Sequence, residues 1–244
     1  MFDAKIVSER IIIWIADYFR GNAAPEAKAV VGISGGKDSS VVAALCAEAL
    51  GKSRVTGVIM PQYEQSDIGV SYKACRALGI PYFEINIGDA VQELYNSIVK
   101  AGLTLNNVAT FNTPARARMS VLYAVSGIVG GRVANTSNLS EDWVGYATKF
   151  GDSAGDFSPL SNLTVTEVKA VGRALGLAAE FIDKVPIDGL SGKTDEENLG
   201  FSYEVLDKYI RDMVCEDAEL KERIDHLHSI SRHKVSPMPS FVLT

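Results

Sequence analysis

Residues 29–40 read Ala29-Val30-Val31-Gly32-Ile33-Ser34-Gly35-Gly36-Lys37-Asp38-Ser39-Ser40, and this stretch decides the fold. Its first five residues are apolar and partly β-branched, the pattern of a strand buried on both faces of a parallel sheet. Ser40 to Leu50 is helical in character, with Gly51 as its stop. Between them lies a glycine-rich turn. Gly32, Gly35 and Gly36 lack a Cβ, so backbone N–H groups there can close on an oxyanion. The following helix offers free N–H groups and partial positive charge, and Ser34, Ser39 and Ser40 add hydroxyls. The order is not Walker A, because Asp38 follows Lys37 and Val31 holds the place of the early glycine. Nor is it GxGxxG. A carboxylate inside an anion cradle repels phosphate unless a Mg²⁺ ion sits between the two charges. The plainer reading is a tight βα turn with a capping acid, but this many glycines, serines and acids exceed what capping needs.

Outward from the turn, the chain keeps alternating. Val55 to Met60, Ile80 to Ile85 and Arg132 to Asn135 read as further strands. Helical spacing covers Val7 to Phe19, Asp67 to Leu78 and Asp89 to Lys100. Another helix is expected to start at Pro114 and reach about Val129, since proline costs little in a first turn. Such alternation implies right-handed βαβ units, hence an α/β fold: a three-layer doubly wound parallel sheet with helices on both faces. Gly145 to Leu160 reads as loop, and Thr164-Val165-Thr166-Glu167 as a capping box opening a helix to Leu175. Lys193 to Asn198 reads as an acidic loop, and Phe201 to Met213 as a helix. No repeat or linker divides residues 1–244, so one domain is expected.

The 244 residues are 47% hydrophobic, enough to bury a core without staples. Net charge is −6 with no basic stripe, which counts against a nucleic-acid partner. Cys46, Cys75 and Cys215 form no CxxC pair and fit no zinc spacing, which points to a reducing compartment. The N-terminus has no secretory pattern, and the apolar stretch Ile11 to Phe19 contains Asp17 and is too short to span a bilayer. A soluble, cytoplasmic protein with no membrane association is expected.

Ser34-Gly35-Gly36-Lys37-Asp38-Ser39 resembles the SGGxDS pyrophosphate loop of the N-type ATP pyrophosphatases, the adenine nucleotide alpha hydrolase-like superfamily. Further stretches resemble ammonia-dependent NAD synthetases within it. Ala115-Arg116-Ala117-Arg118-Met119 is similar to their ARxRM helix, and Thr136-Ser137-Asn138-Leu139-Ser140-Glu141 to TSNxSE. Thr148-Lys149-Phe150-Gly151-Asp152, through Asp156 to Pro159-Leu160, is similar to TKYGDxxxDxxPL. Asp195 to Tyr203 is similar to DExELGxSYE, and His233-Lys234 to a terminal His-Lys pair. The resemblance covers most of the chain in the family's order.

This resemblance implies a Rossmann-like ATP pyrophosphatase fold and a ligase forming a carbon–nitrogen bond. The reaction it implies is ATP- and Mg²⁺-dependent amidation of nicotinate adenine dinucleotide with ammonia to NAD⁺, through an adenylate, releasing AMP and pyrophosphate. By position it implies ATP contacts at Gly32, Ile33, Ser34, Gly35, Gly36, Lys37, Asp38, Ser39 and Thr136, and Mg²⁺ on Asp38 and Glu141. Dinucleotide contacts would fall on Arg116, Lys149, Asp156, His233 and Lys234, in a homodimer. The acceptor's pyrophosphate and carboxylate need cations such as Arg116 and Lys149. Asp38, Glu141 and the nearby Asp152 are the candidate catalytic residues, with Asp152 or another acid near the carbonyl as the group that binds ammonium and takes its proton.

Read singly, these residues have plainer roles: helix-face arginines, an acidic first turn at Glu141-Asp142, loop acids, and surface histidines at His226 and His228. Two positions depart from the family. Val165 stands where a Lys commonly contacts ATP, and Ile187 where a hydroxyl residue commonly follows Pro186. Lys37 is expected to supply replacement charge toward ATP. The departures keep two alternatives open: another amidating or sulfur-transferring ATP pyrophosphatase, and a nucleotide-binding protein without turnover.

Overall fold

The computed structural model describes residues 2–184 and 194–242. Four strands form its sheet: β1 (Ala29–Gly32), β2 (Val55–Ile59), β3 (Tyr82–Glu84) and β4 (Arg132–Val133). They lie in the order β3-β2-β1-β4, every pair parallel, with Val31 opposite Gly57. A single parallel bridge from Ala134 to Phe157 extends the β4 edge. β1 is therefore central, flanked on both sides, which explains its unbroken apolar run.

The first half of the chain contributes α1 (Ala4–Asn22), α2 (Lys37–Leu50), α3 (Ile68–Leu78), α4 (Gly88–Lys100) and α5 (Asn107–Val129). The second half adds α6 (Leu139–Val144), α7 (Val165–Ala174), α8 (Ala179–Ile182), α9 (Asp195–Leu199), α10 (Tyr203–Asp212) and α11 (Ala218–Val235). Alternate strand residues feed two cores. Ala29, Val31, Val55 and Ile59 pack with Ile15 and Phe19 of α1, Leu45 of α2, Cys75 of α3, Val171 of α7 and Ile182 of α8. Val30, Val58 and Val133 pack on the other face with Val91 of α4 and Met119, Leu122 and Val125 of α5. The three-layer arrangement follows from that alternation. Burial pushes the thiols of Cys46 and Cys75 up to about 12 and about 11, so both are inert core groups. Among the described residues, no helix is long and apolar enough to cross a membrane.

Three expectations change. First, α5 starts at Asn107, capped by the Asn106 side chain on Ala109 N (2.9 Å), so Pro114 lies inside the helix rather than at its start. An interior proline deprives the carbonyl four residues earlier of its helical donor. Here the Tyr95 hydroxyl from α4 donates to that carbonyl, Thr110 O, at 2.9 Å. Second, part of the expected acidic loop is α9. Thr194 and Glu197 form the same reciprocal capping box as Thr164 and Glu167, and Gly200 in the left-handed region ends the helix. Third, α6, α8 and α11 went unread in the sequence. Asp217 caps α11 through Glu219 N (2.9 Å) and Leu220 N (3.0 Å).

α6, α9, α10 and α11 share a third cluster around Val144, Leu199, Phe201, Leu206 and Ile224. Val165, at 3% exposure, belongs to this cluster. Beside it, the buried Asp207 carboxylate accepts the Ser140 hydroxyl at 2.5 Å and Thr166 N at 2.7 Å, tying α6, α7 and α10 together.

α11 docks on α6 at Gly145, whose φ is +66 and whose added Cβ would sit 2.1 Å from Ser231 Cβ. Gly145→Ala should therefore lose about 2–3 kcal/mol of stability through overpacking and a strained backbone, read from urea unfolding.

Candidate active site

The carboxyl end of β1 opens into a cavity of about 470 Å³, a size that suits a nucleotide. Gly32, Ile33, Ser34, Thr136 and Asp152, all singled out in the sequence, line it. Gly35, Gly36, Lys37, Asp38 and Ser39 continue from its edge into the first turn of α2, with Gly36 as N-cap. Gly35 has φ +75, and a Cβ there would lie 2.8 Å from Ser71 N, so only glycine lets α3 close over the turn. The turn is wired to itself. Gly36 N donates to Ser34 Oγ at 3.3 Å, Ser34 N donates to Ser39 Oγ at 3.3 Å, and the two hydroxyls lie 3.1 Å apart. These bonds are long, and phosphate oxygens can recruit the same donors.

Behind the turn, Asp38 of α2 meets Glu141 of α6. Each occupies the first turn of its helix, where partial positive charge favours a carboxylate. Asn138 registers them against each other. Its side-chain carbonyl accepts Glu141 N (3.1 Å) to cap α6, and its amide donates to Asp38 Oδ1 (3.0 Å). Lys37 Nζ lies 2.8 Å from Asp38 Oδ2 and 3.6 Å from Glu141 Oε1. Burial opposes the Lys37 charge, but Asp38 and then Glu141 outweigh it and hold its pKa above the usual lysine value. Burial, reinforced by Asp38, raises Glu141 above the usual carboxylate range. Two carboxylates that converge on an ammonium offer the oxygen donors a hard cation takes, and nucleotide oxygens would complete its shell.

The ammonium of Lys37 faces these carboxylates, and Lys37 is not among the residues that line the cavity. Val165 also lies away from the cavity lining, in the third core cluster. Ile187 lies outside the described residues.

A second group of cations gathers where the 148–152 turn meets the end of α11. Arg116 Nε donates to Lys149 O (3.2 Å), and Lys149 Nζ donates to His233 O (2.5 Å). Lys234 Nζ donates to Gly145 O (2.6 Å) and Ala147 O (3.0 Å). The expected substrate residues Arg116, Lys149, His233 and Lys234 are therefore neighbours, although 117 positions separate the first from the third in the chain numbering. Asp152 Oδ1 accepts Thr148 N at 2.8 Å, and burial raises its pKa. Asp156 makes its contacts elsewhere. Its carboxylate accepts Val133 N (2.7 Å) at the sheet edge, next to the Tyr123 hydroxyl, and Tyr18 donates to its carbonyl (3.1 Å).

Several site residues escaped the sequence reading. Arg118 lines the cavity, with Nε on Met60 O at 3.0 Å. Its two-residue offset from Arg116 was the available signal, since it turns the two to different sides of α5. Asn138 lay within the quoted motif without an assigned role. Asp195 and Tyr203 border the Lys37 cluster, with the Tyr203 hydroxyl 3.4 Å from Asp195 Oδ2. His228 is not a plain surface residue, since its ring stacks on Trp143 at 4.1 Å.

Asn138→Ala should cost about 1 kcal/mol in chemical unfolding through the lost cap. It should also lower turnover, because Asp38 loses the amide that orients it. Unchanged kcat with reduced stability would leave Asn138 as a cap only.

The family model described as NAD synthase matches residues 7–243. The chain is 41% identical to the "NH(3)-dependent NAD(+) synthetase" of Thermococcus sibiricus over 87% of this chain and 83% of that protein. It is 37% identical to the protein of the same name from Pyrococcus furiosus, over 96% and 89%. Among solved structures it resembles an NMN synthetase from Francisella tularensis, with a TM-score of 0.88 and 32% identity over 99% and 100% of the two chains. It also resembles an NAD⁺ synthetase from Burkholderia pseudomallei, with a TM-score of 0.79 and 28% identity over 96% and 90%.

Proposed function

The chain belongs to the NAD synthase family, and from that premise we propose how its own residues carry out ATP-dependent amidation of nicotinate adenine dinucleotide by ammonia. The carboxylate of the nicotinate attacks the α-phosphorus of ATP, the bond to pyrophosphate breaks, and an acyl-adenylate forms. Ammonia then attacks the activated carbonyl and AMP leaves. The activation is necessary because oxide is too poor a leaving group for direct amidation. The observation that supports this reading best is the convergence of Asp38 and Glu141 on one cationic position behind the glycine turn.

Gly32, Ile33, Ser34, Gly35, Gly36, Ser39 and Thr136 hold the nucleotide at the end of β1, and Arg118 adds charge to the same cavity. Asp38 and Glu141 would hold Mg²⁺, which would supply neutralising charge for the departing pyrophosphate. Arg116, Lys149, His233 and Lys234 bind the acceptor's phosphates and carboxylate. Asp156 reaches the acceptor from the sheet edge, beside Tyr18 and Tyr123. Asp152 is the proton acceptor for ammonium, and its raised pKa suits that task. The enzyme works in the cytoplasm as a homodimer. Val108, Phe111 and Ile128 of α5 and Leu94 and Val99 of α4 are exposed apolar residues that a second subunit would cover.

One observation favours a second reading of the acceptor. The Francisella structure that overlays at a TM-score of 0.88 is named for NMN synthesis, so nicotinate mononucleotide is the competing acceptor.

Purified protein with ATP, Mg²⁺, ammonium and nicotinate adenine dinucleotide should form NAD⁺. Its kcat/KM should exceed that measured with nicotinate mononucleotide, and the reverse ratio would establish the second reading. Asp38→Asn and Glu141→Gln should each cut kcat by about 100-fold or more. Arg116→Ala should raise the acceptor KM about tenfold, the worth of one charged hydrogen bond, with the KM for ATP little changed. Sedimentation equilibrium should return the dimer mass, and monomer alone would remove the subunit interface from the reading.

A further inference from the structure

Lys37 has no part in the chemistry above, yet its side chain is only 3% exposed and is fixed from several directions. Nζ bonds Asp38 Oδ2 at 2.8 Å, lies 3.6 Å from Glu141 Oε1, and sits 5.8 Å from the centre of the Tyr203 ring. Asp195, hydrogen-bonded by Tyr203, adds a third carboxylate to its surroundings. The ammonium therefore contacts the two residues assigned to the metal and takes up charge that a divalent cation would neutralise. Without a counter-charge, two carboxylates held together in a closed site would repel and cost stability. With the ammonium present, an incoming metal meets a tethered competitor and a site of lower net charge. Lys37 is also the first residue of α2, directly after the Gly36 cap, so its flexible stem starts beside the phosphate cradle.

We propose that Lys37 is a tethered counter-cation for the metal site. In the nucleotide-free enzyme it pairs with Asp38 and Glu141 and keeps divalent metal off them. When ATP fills the cradle, the ammonium leaves the carboxylates for the phosphates, and the metal enters with the nucleotide. Metal and ATP binding are then coupled, each raising the other's affinity. This inference rests on the assignment of Asp38 and Glu141 as the metal ligands.

The test is a Mn²⁺ titration followed by the EPR signal of free Mn²⁺, with and without a non-hydrolysable ATP analogue. It compares wild type, Lys37→Met and Lys37→Arg, with Asp38→Asn as the control for the site. Without nucleotide, Lys37→Met should bind Mn²⁺ about tenfold more tightly than wild type, while Lys37→Arg stays weak. With the analogue, the gap between wild type and Lys37→Met should close to about threefold or less. Equal nucleotide-free affinities in wild type and Lys37→Met, with binding still dependent on Asp38, would overturn the role of Lys37 alone. Mn²⁺ binding that survives Asp38→Asn would instead overturn the metal assignment, and this inference with it. If Lys37→Met is too unstable to titrate, thermal melting decides. Mn²⁺ should raise the Tm of the variant and leave wild type unmoved, and a variant that Mn²⁺ does not stabilise overturns the proposal.

Discussion

Two carboxylates held side by side govern the architecture of the site. Asp38 comes from α2, which follows β1, and Glu141 from α6, which follows β4, and each needs a helix N-terminus, an amide donor and a cation to be tolerated there. The first turns of α2 and α6 supply the dipoles, Asn138 supplies the amide, and Lys37 supplies the cation. The chain has to bring these elements together for the acids to face one position. The packing around them does this. α6 is clamped from behind by Ser140 on Asp207 and from the side by α11 at Gly145. α2 is buried along most of its length between the sheet, α1 and α7.

The nucleotide cavity follows from the same geometry. Because β1 is central, its carboxyl end has neighbours on both sides, and the crevice beyond it is where ligands bind in open parallel sheets. α5 passes over that crevice and turns its two arginines to different tasks: Arg118 reaches the backbone of the residue after β2, and Arg116 reaches the 148–152 turn. α11 then carries His233 and Lys234 back across the molecule to that turn. The glycine turn, the carboxylate pair and the basic groups at the 148–152 turn are thus assembled from elements far apart in the chain.

The family departures take on a physical meaning. Val165 helps to seal the small core under α9 and α10, so its apolar side chain stabilises the element that backs the carboxylate pair. Lys37, the loop residue next to the acid, faces the carboxylates of Asp38 and Glu141. The sheet-edge group that joins Asp156 to Tyr18 and Tyr123 lies apart from the basic groups at the 148–152 turn.

Residues 29–40 alone determined the strand, the turn and the helix, because a buried central strand and a glycine cradle leave signals in consecutive residues. The βα alternation, the capping box at Thr164 and the acid in the phosphate loop were legible for the same reason. Local signals misled at Pro114, since the Tyr95 hydroxyl that makes an interior proline tolerable comes from another helix. They were also passed over at Thr194-Asp195-Glu196-Glu197, where a capping box was present among acidic residues. α11, the meeting of Arg116 with Lys149 and His233, and the turning of Lys37 toward carboxylates were decided only in three dimensions. Each depends on which distant groups share a low-dielectric space, and charge, burial and hydrogen-bond supply there are properties of the packed chain.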